Sequence, residues 1–221
     1  HQGVRPEYAD YRAVARGAWH LLGKCTENVL DGRSDGSKRE EFRKRTARIE
    51  RIQQEITSYL TQLAQRPLTA EQSAAIPVLT RCVNDAECLA DYAGQLARES
   101  ARFVERRGKL SKKTEKELRE LLREVGRMAD HVFDSLEFGQ TESVALVREL
   151  APEIRSRIDR MEELYLESLR KGTCNAESGI VFLALTGILR QACGRLENIA
   201  LLSSALGRYE WTGNPHPVRR Q

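Results

Sequence analysis

Two stretches of this chain, 110 residues apart, read as one helix written twice. Leu79 to Arg98 runs Leu-Thr-Arg-Cys-Val-Asn-Asp-Ala-Glu-Cys-Leu-Ala-Asp-Tyr-Ala-Gly-Gln-Leu-Ala-Arg, and Leu189 to Arg208 runs Leu-Arg-Gln-Ala-Cys-Gly-Arg-Leu-Glu-Asn-Ile-Ala-Leu-Leu-Ser-Ser-Ala-Leu-Gly-Arg. At that offset the pairs Leu79/Leu189, Glu87/Glu197, Ala90/Ala200, Leu96/Leu206 and Arg98/Arg208 are identical. Unrelated segments of this length share about one residue at ordinary composition, although helical patterning itself forces some matches. The period is too long for a solenoid unit and is the size of a small domain. Duplication of a whole helical bundle is the reading that follows.

Composition agrees with helices. Charged residues make up 31% of the chain and aromatics only 6%, the reverse of what strands want. A length of 221 residues allows one domain or two with a proper core. The net charge of +4 comes from bases interleaved with acids, which describes a solvated, ion-paired helix surface and argues against a nucleic-acid partner. Cys25, Cys82, Cys88, Cys174 and Cys193 form no disulfide framework, and four of them fall inside helical patterns as small apolar residues. A reducing cytoplasm is expected. The sequence opens His1-Gln2-Gly3 with neither an initiator Met nor a signal-peptide pattern, as an excised fragment of a longer protein would. The longest uncharged apolar run, Ile180 to Leu189, is ten residues, whereas a membrane span needs about 20. That run is expected not to cross a bilayer.

Six helices fit the apolar spacing. The first carries Tyr8, Tyr11, Ala15, Ala18, Leu22, Cys25 and Val29 on one seam, and Gly32 to Ser37 ends it. The second starts near Lys38 with Ile49, Ile52, Ile56, Leu60 and Leu63, and its Arg43 to Arg51 stretch is basic and solvated. Thr69-Ala70-Glu71-Gln72 predicts a capping box opening the third, where Pro77 can kink the first turns and Leu79, Val83, Ala86, Ala90, Ala93 and Ala97 keep the seam. Gly108 separates the halves. Ser111 caps a fourth helix bearing Leu118, Leu121, Val125, Met128 and Val132, and Gly139-Gln140 turns the chain. The fifth carries Val147, Ala151, Ile154, Ile158, Met161 and Tyr165, with a kink or restart expected at Pro152. Gly172-Thr173 makes the last turn, and Asn175 caps a sixth helix running to about Arg208. Its first half is apolar all round, which places it in the bundle or against a partner. Short loops between long amphipathic helices imply antiparallel neighbours. The predicted architecture is all-α: two tandem antiparallel three-helix bundles, residues 8–107 and 111–208, with a tail over 209–221.

Glu87 and Asp91 lie four apart and project from one helix face, and Asn84 extends that polar stripe. With Glu50 of the second helix as a further donor, such oxygen ligands suit a hard or borderline cation. The commoner use of such a pair is an exposed one, balanced by Arg81, Arg98 or a neighbour's basic residues. In the second half Glu197 recurs and Asp159 adds a carboxylate, but Leu201 replaces the counterpart of Asp91, so a site there is incomplete. A di-iron bundle needs Glu-x-x-His twice, and the residues three before His20 and His131 are Gly17 and Met128. Nucleophile motifs and Gly-rich phosphate loops are absent, and Cys82, Cys88 and Cys193 lack a Cys-x-x-Cys pair. Trp19 and Trp211 need no more than core and tail roles. The basic runs Arg43 to Arg51 and Arg102 to Lys116 could touch anionic lipid or phosphate, although a solvated face suffices. No enzyme chemistry is expected.

The stretch Asn84-Asp85-Ala86-Glu87-Cys88-Leu89-Ala90-Asp91 resembles the acidic helix signature of PhoU-type phosphate-uptake regulators, with Glu87 and Asp91 on its two acidic positions and Cys88 and Ala90 departing from its Arg and Gly. The chain is more closely similar to the cytoplasmic PhoU-like region of bacterial type II sodium/phosphate cotransporters. Tyr165-Leu166-Glu167-Ser168-Leu169-Arg170 resembles the stretch before the last helix in those members, which also tend to lose the second acidic motif. The resemblance spans about Tyr8 to Arg208. It implies two PhoU repeats, a role in phosphate homeostasis and, in some relatives, metal clusters on the acidic helices. The positions here would be Glu50, Glu87, Asp91, Asp159 and Glu197, with a divalent or iron-type ion at the first acidic helix as the one cofactor in view. It further implies a regulatory domain on the cytoplasmic side of the inner membrane. Its partner would be a membrane transporter domain of the same polypeptide, gripped through the apolar sixth helix or basic surfaces; a homodimer is also open. The alternatives are a free-standing PhoU-type adaptor and a metal-binding or metal-dependent bundle.

Overall fold

The structure, a computed structural model, describes residues 6–32, 36–106, 108–138 and 141–206. Among these there are six helices and no strand: α1 (Pro6–Leu30), α2 (Gly36–Ala64), α3 (Ala70–Glu105), α4 (Lys112–Phe138), α5 (Thr141–Arg170) and α6 (Ala176–Leu206). The tail over 209–221, Arg208 and the Gly139-Gln140 turn lie outside the described residues.

The boundaries have local causes. The Thr69 hydroxyl accepts from the Gln72 backbone N–H at 3.2 Å and the Gln72 side chain accepts from the Thr69 N–H at 3.1 Å, the capping box expected at α3. Ser111 Oγ accepts from Thr114 N–H at 3.1 Å, and Asn175 Oδ1 from Ser178 N–H at 2.7 Å, starting α4 and α6. Gly172 closes α5 at φ 67°, its N–H bonded to the Leu169 carbonyl while Thr173 N–H reaches Ser168. That paired arrangement needs a left-handed residue, which glycine adopts without strain. Neither proline breaks its helix: α3 runs through Pro77 and α5 through Pro152, so there is no restart at Pro152. Buried Ala151 and Ile154 flank that exposed proline and hold the helical path across the missing hydrogen bond.

Packing reproduces the predicted seams. Leu118, Leu121, Val125, Met128 and Val132 are fully buried on α4, as are Val147, Ala151 and Ile158 on α5. Helices α1, α2 and α3 pack on one another, and so do α4, α5 and α6. Between the two units, α3 packs on α6 and α1 on α4. Each of these contacts joins a helix to its own counterpart in the other repeat, which is the arrangement of a pseudo-two-fold axis. Helices α1 and α4 run antiparallel: Arg16 lies 5.4 Å over the Phe133 ring at one end, Trp19 packs 3.9 Å from the position of a Cβ on Gly126, and Arg119 bonds Asp31 at 2.6 Å at the other end. The α3–α6 pair is antiparallel too, since Arg106 pairs with Glu177 and Asp85 with Arg195.

Helix α2 is the most solvated. Its basic half carries exposed pairs within its own turns, Glu40–Arg43 at 3.0 Å, Glu41–Arg45 at 2.5 Å and Arg51–Glu55 at 3.8 Å. Water screens exposed pairs such as these, and they contribute little to stability. Helix α6 is central instead, touching α3, α4 and α5. Residues Ala176–Ala205 have the length and apolar composition of a membrane span, more than the ten-residue run suggested; just over half of the most apolar part is buried inside the bundle, as in a core helix.

Candidate functional site

The acidic helices α3 and α6 cross near their middles. At the crossing Arg195 Nη1 donates to Asp85 Oδ1 at 3.0 Å, and Arg195 Nε donates to the Tyr92 hydroxyl at 3.3 Å. Asp85 is 7% exposed and Arg195 39% exposed, so the carboxylate is the desolvated partner. Burial holds the Asp85 carboxyl above the ordinary carboxylate range, offset in part by hydrogen bonds from Arg195 and Asn198. Asp85 and Arg195 stand 110 residues apart, the repeat offset itself. They are equivalent positions carrying opposite charges, and they meet because the pseudo-two-fold axis passes between them.

The glutamate common to both repeats is handled alike in each. Gln53 of α2 donates to Glu87 Oε2 at 2.7 Å, and Arg155 of α5 donates to Glu197 Oε2. Donating to the Glu197 carboxylate raises the affinity of Arg155 for its proton. A single acidic position on the third helix of each unit therefore ties that helix to the middle one. Asp159 is bonded by Arg190 at 2.7 Å, and Arg190 also reaches Glu162 at 2.9 Å, with Thr186 donating to the same carboxylate at 2.7 Å. Glu50 and Asp91 are exposed. The α2 residue that meets Glu87 is Gln53, one turn beyond Glu50.

The five carboxylates expected as ligands are thus not brought together. Among the described residues no three His, Cys, Asp or Glu side chains are grouped as a cation requires. Around Asp159 and Glu197 guanidinium groups already supply the positive charge a metal would bring. So paired, Asp159 and Glu197 do not fit a metal centre. Burial pushes the Cys25 and Cys82 thiols up to about 12 and the Cys193 thiol up to about 11, so all three stay protonated at neutral pH and act as core.

The residues that the spacing of acids does not reveal are Asp85, Arg195, Gln53, Arg155 and Arg190. One signal for the first two was in the repeat: the offset that aligns Leu79 with Leu189 also sets Asp85 against Arg195. What this arrangement does chemically is couple two bundles through a half-buried ion pair at their crossing and brace each third helix against its neighbour.

No family model and no curated protein matches the sequence. A solved structure does: the chain is similar to PhoU from Pseudomonas aeruginosa, with a TM-score of 0.74 over 91% of this chain and 97% of that one, at 18% identity. Six helices in two counterpart units, crossing through α3 and α6, give this chain a PhoU-like fold.

Proposed function

We propose that the chain is a non-catalytic regulatory domain of a bacterial sodium-dependent phosphate transporter, held on the cytoplasmic side of the inner membrane, and that it controls phosphate uptake or export. The observation that carries this reading is the likeness to PhoU over nearly the whole of both chains. The sequence stretches Asn84–Asp91 and Tyr165–Arg170 point from that fold toward the transporter-linked members. Asp85, Glu87, Asp159 and Glu197 are all engaged with other helices, the use expected of charges that hold a scaffold in shape. Regulation then works by binding one state of the transporter better than the other. The test is to delete this domain from the transporter that carries it and to measure phosphate uptake across external phosphate concentrations. Coupling of ordinary strength changes uptake, or its response to phosphate, by about fivefold or more. Uptake that is unchanged at every phosphate level rejects the proposal.

A free-standing PhoU-type adaptor between a transporter and a sensor kinase is favoured by the same likeness, because the match covers all but 3% of PhoU. The gene separates the two readings: apolar spans encoded upstream of residue 1 support the transporter, and a start near residue 1 supports the adaptor. A metal-binding or metal-dependent bundle is the reading of a different class. Elemental analysis of the purified chain is expected to find no stoichiometric transition metal, and Glu87→Ala to leave its metal content unchanged. A stoichiometric metal lost on that substitution would restore the metal reading.

A further inference from the structure

The basic run Arg102 to Lys116 closes one end of the bundle. Helices α3 and α6 are antiparallel and the loops are short, so the end of α3, the start of α4, the end of α5 and the start of α6 all meet there. The loop between α3 and α4 is fastened to that end, because Ser178 Oγ at the start of α6 donates to the Lys109 carbonyl at 2.7 Å. Lys109, Lys112, Lys113 and Lys116, joined by Arg170 from the last turn of α5, are exposed and make no ion pair among the described residues. The nearby acids are committed elsewhere: Glu115 to Arg119, Glu167 to Lys171 and Glu177 to Arg106, which leaves Glu105 and Glu117 to balance those cations. Fold stability does not ask for these lysines. Lys112 and Lys113 occupy the first turn of α4, where the helix dipole disfavours cations. At the opposite end Asp130, Asp134 and Glu142 stand without a cationic partner among the described residues, so charge is divided along the length of the molecule.

We infer that this end of the bundle docks on a membrane surface rich in anionic lipid, with the helices standing steeply on it. The cations are spread out and do not converge on one small anion: Lys112 and Lys113 project about 100° apart around α4, and Arg170 comes from another helix. A sheet of headgroup phosphates suits such an array. Each lysine held near it gains about fivefold in partitioning from the surface potential, with no fixed geometry to satisfy. A nucleic acid would meet the same charge but has no use for the apolar residues beside it. Leu164 and Leu166 in the last turns of α5 are 58% and 40% exposed, and Ile180 near the start of α6 is 56% exposed. Side chains of this kind next to a basic patch settle among headgroups and upper acyl chains. The same surface repels the acidic far end, which sets the polarity of the molecule upon it. Docking of this kind is independent of the phosphate reading, since it follows from the division of charge alone.

Sedimentation of the full chain with lipid vesicles tests it. Vesicles of equal parts phosphatidylcholine and phosphatidylglycerol are expected to carry the chain down, and vesicles of phosphatidylcholine alone are not. Molar salt is expected to release it, because screening then shortens to about 3 Å. Combining Lys112→Gln, Lys113→Gln and Lys116→Gln is expected to weaken partitioning by about tenfold or more, with the helical signal and melting temperature retained because all three side chains are exposed. The same charge is then removed elsewhere as Arg48→Gln, Arg51→Gln and Arg66→Gln. Arg48 and Arg51 lie midway along the bundle, where Ile49 meets Gly17 of α1, and Arg66 lies at the far end. That control is expected to change partitioning by less than about threefold, since those positions stand more than a screening length from the lipid. No binding to the anionic vesicles, equal binding to phosphatidylcholine alone, or equal weakening by the two triple variants overturns the inference. Duplex DNA bound as tightly as the anionic vesicles, and lost with the same three lysines, would make this end a nucleic-acid site and overturns it too.

Discussion

Replacing Arg195 by methionine is expected to cost the fold about 2–3 kcal/mol at neutral pH, out of proportion to a residue that is partly at the surface. The loss arises from what stays behind. Asp85 is 7% exposed, and without the guanidinium its carboxylate is left with Asn198 and no opposite charge in its place. Methionine preserves most of the side-chain volume, so the change reports on charge. The pH dependence gives the signature. Burial already raises the folded-state affinity of Asp85 for its proton, and removing Arg195 raises it further. A group whose pKa is raised on folding stabilises the fold below its unfolded pKa, and that stabilisation is lost as pH climbs through the folded value. The deficit of Arg195→Met relative to the parent must therefore shrink as pH falls from about 7 toward about 4, near the unfolded carboxylate. Urea denaturation at several pH values reads this directly. A deficit that is flat across that range, or absent at neutral pH, refutes the account of the crossing. Adding Asp85→Leu to Arg195→Met should recover most of the loss, since an apolar pair avoids both desolvations.

The architecture was legible because five of the six helices write their buried face as a regular seam. Val125 and Met128 on α4, or Ile154 and Ile158 on α5, are buried for the same reason that they are spaced by three and four. Capping residues such as Thr69 and Asn175 marked the starts because their side chains satisfy N–H groups within three residues, a purely local requirement. Tertiary register is not local. The spacing of Glu87 and Asp91 says that they share a face, but which residue of α2 arrives there depends on how α2 slides along α3. Gln53 meets Glu87, one turn away from Glu50. Likewise α6 is apolar on every side of its first half, which erases the contrast that tells inside from outside. Its few charges carried the missing direction: Glu177 and Arg195 point to α3, Arg190 and Glu197 to α5.

That orientation of α6 makes two neighbouring apolar residues behave oppositely. Phe182→Ala is expected to destabilise the monomer by about 3–5 kcal/mol. Its ring is 1% exposed and lies stacked on Tyr165, with centroids 4.1 Å apart and planes 9° from parallel, so the substitution opens a cavity between α5 and α6 and forfeits the ring contact. Ile180→Ala, two residues earlier and comparably apolar, is expected to shift monomer stability by less than about 0.5 kcal/mol, because Ile180 is 56% exposed. Unfolding followed by circular dichroism in urea makes the comparison. For a fold of ordinary stability, about 5–15 kcal/mol, the phenylalanine alone accounts for about a fifth or more of the total. Equal losses for the two variants would mean that α6 is rotated from the position described, and the ion pairs assigned to its flanks would fall with it.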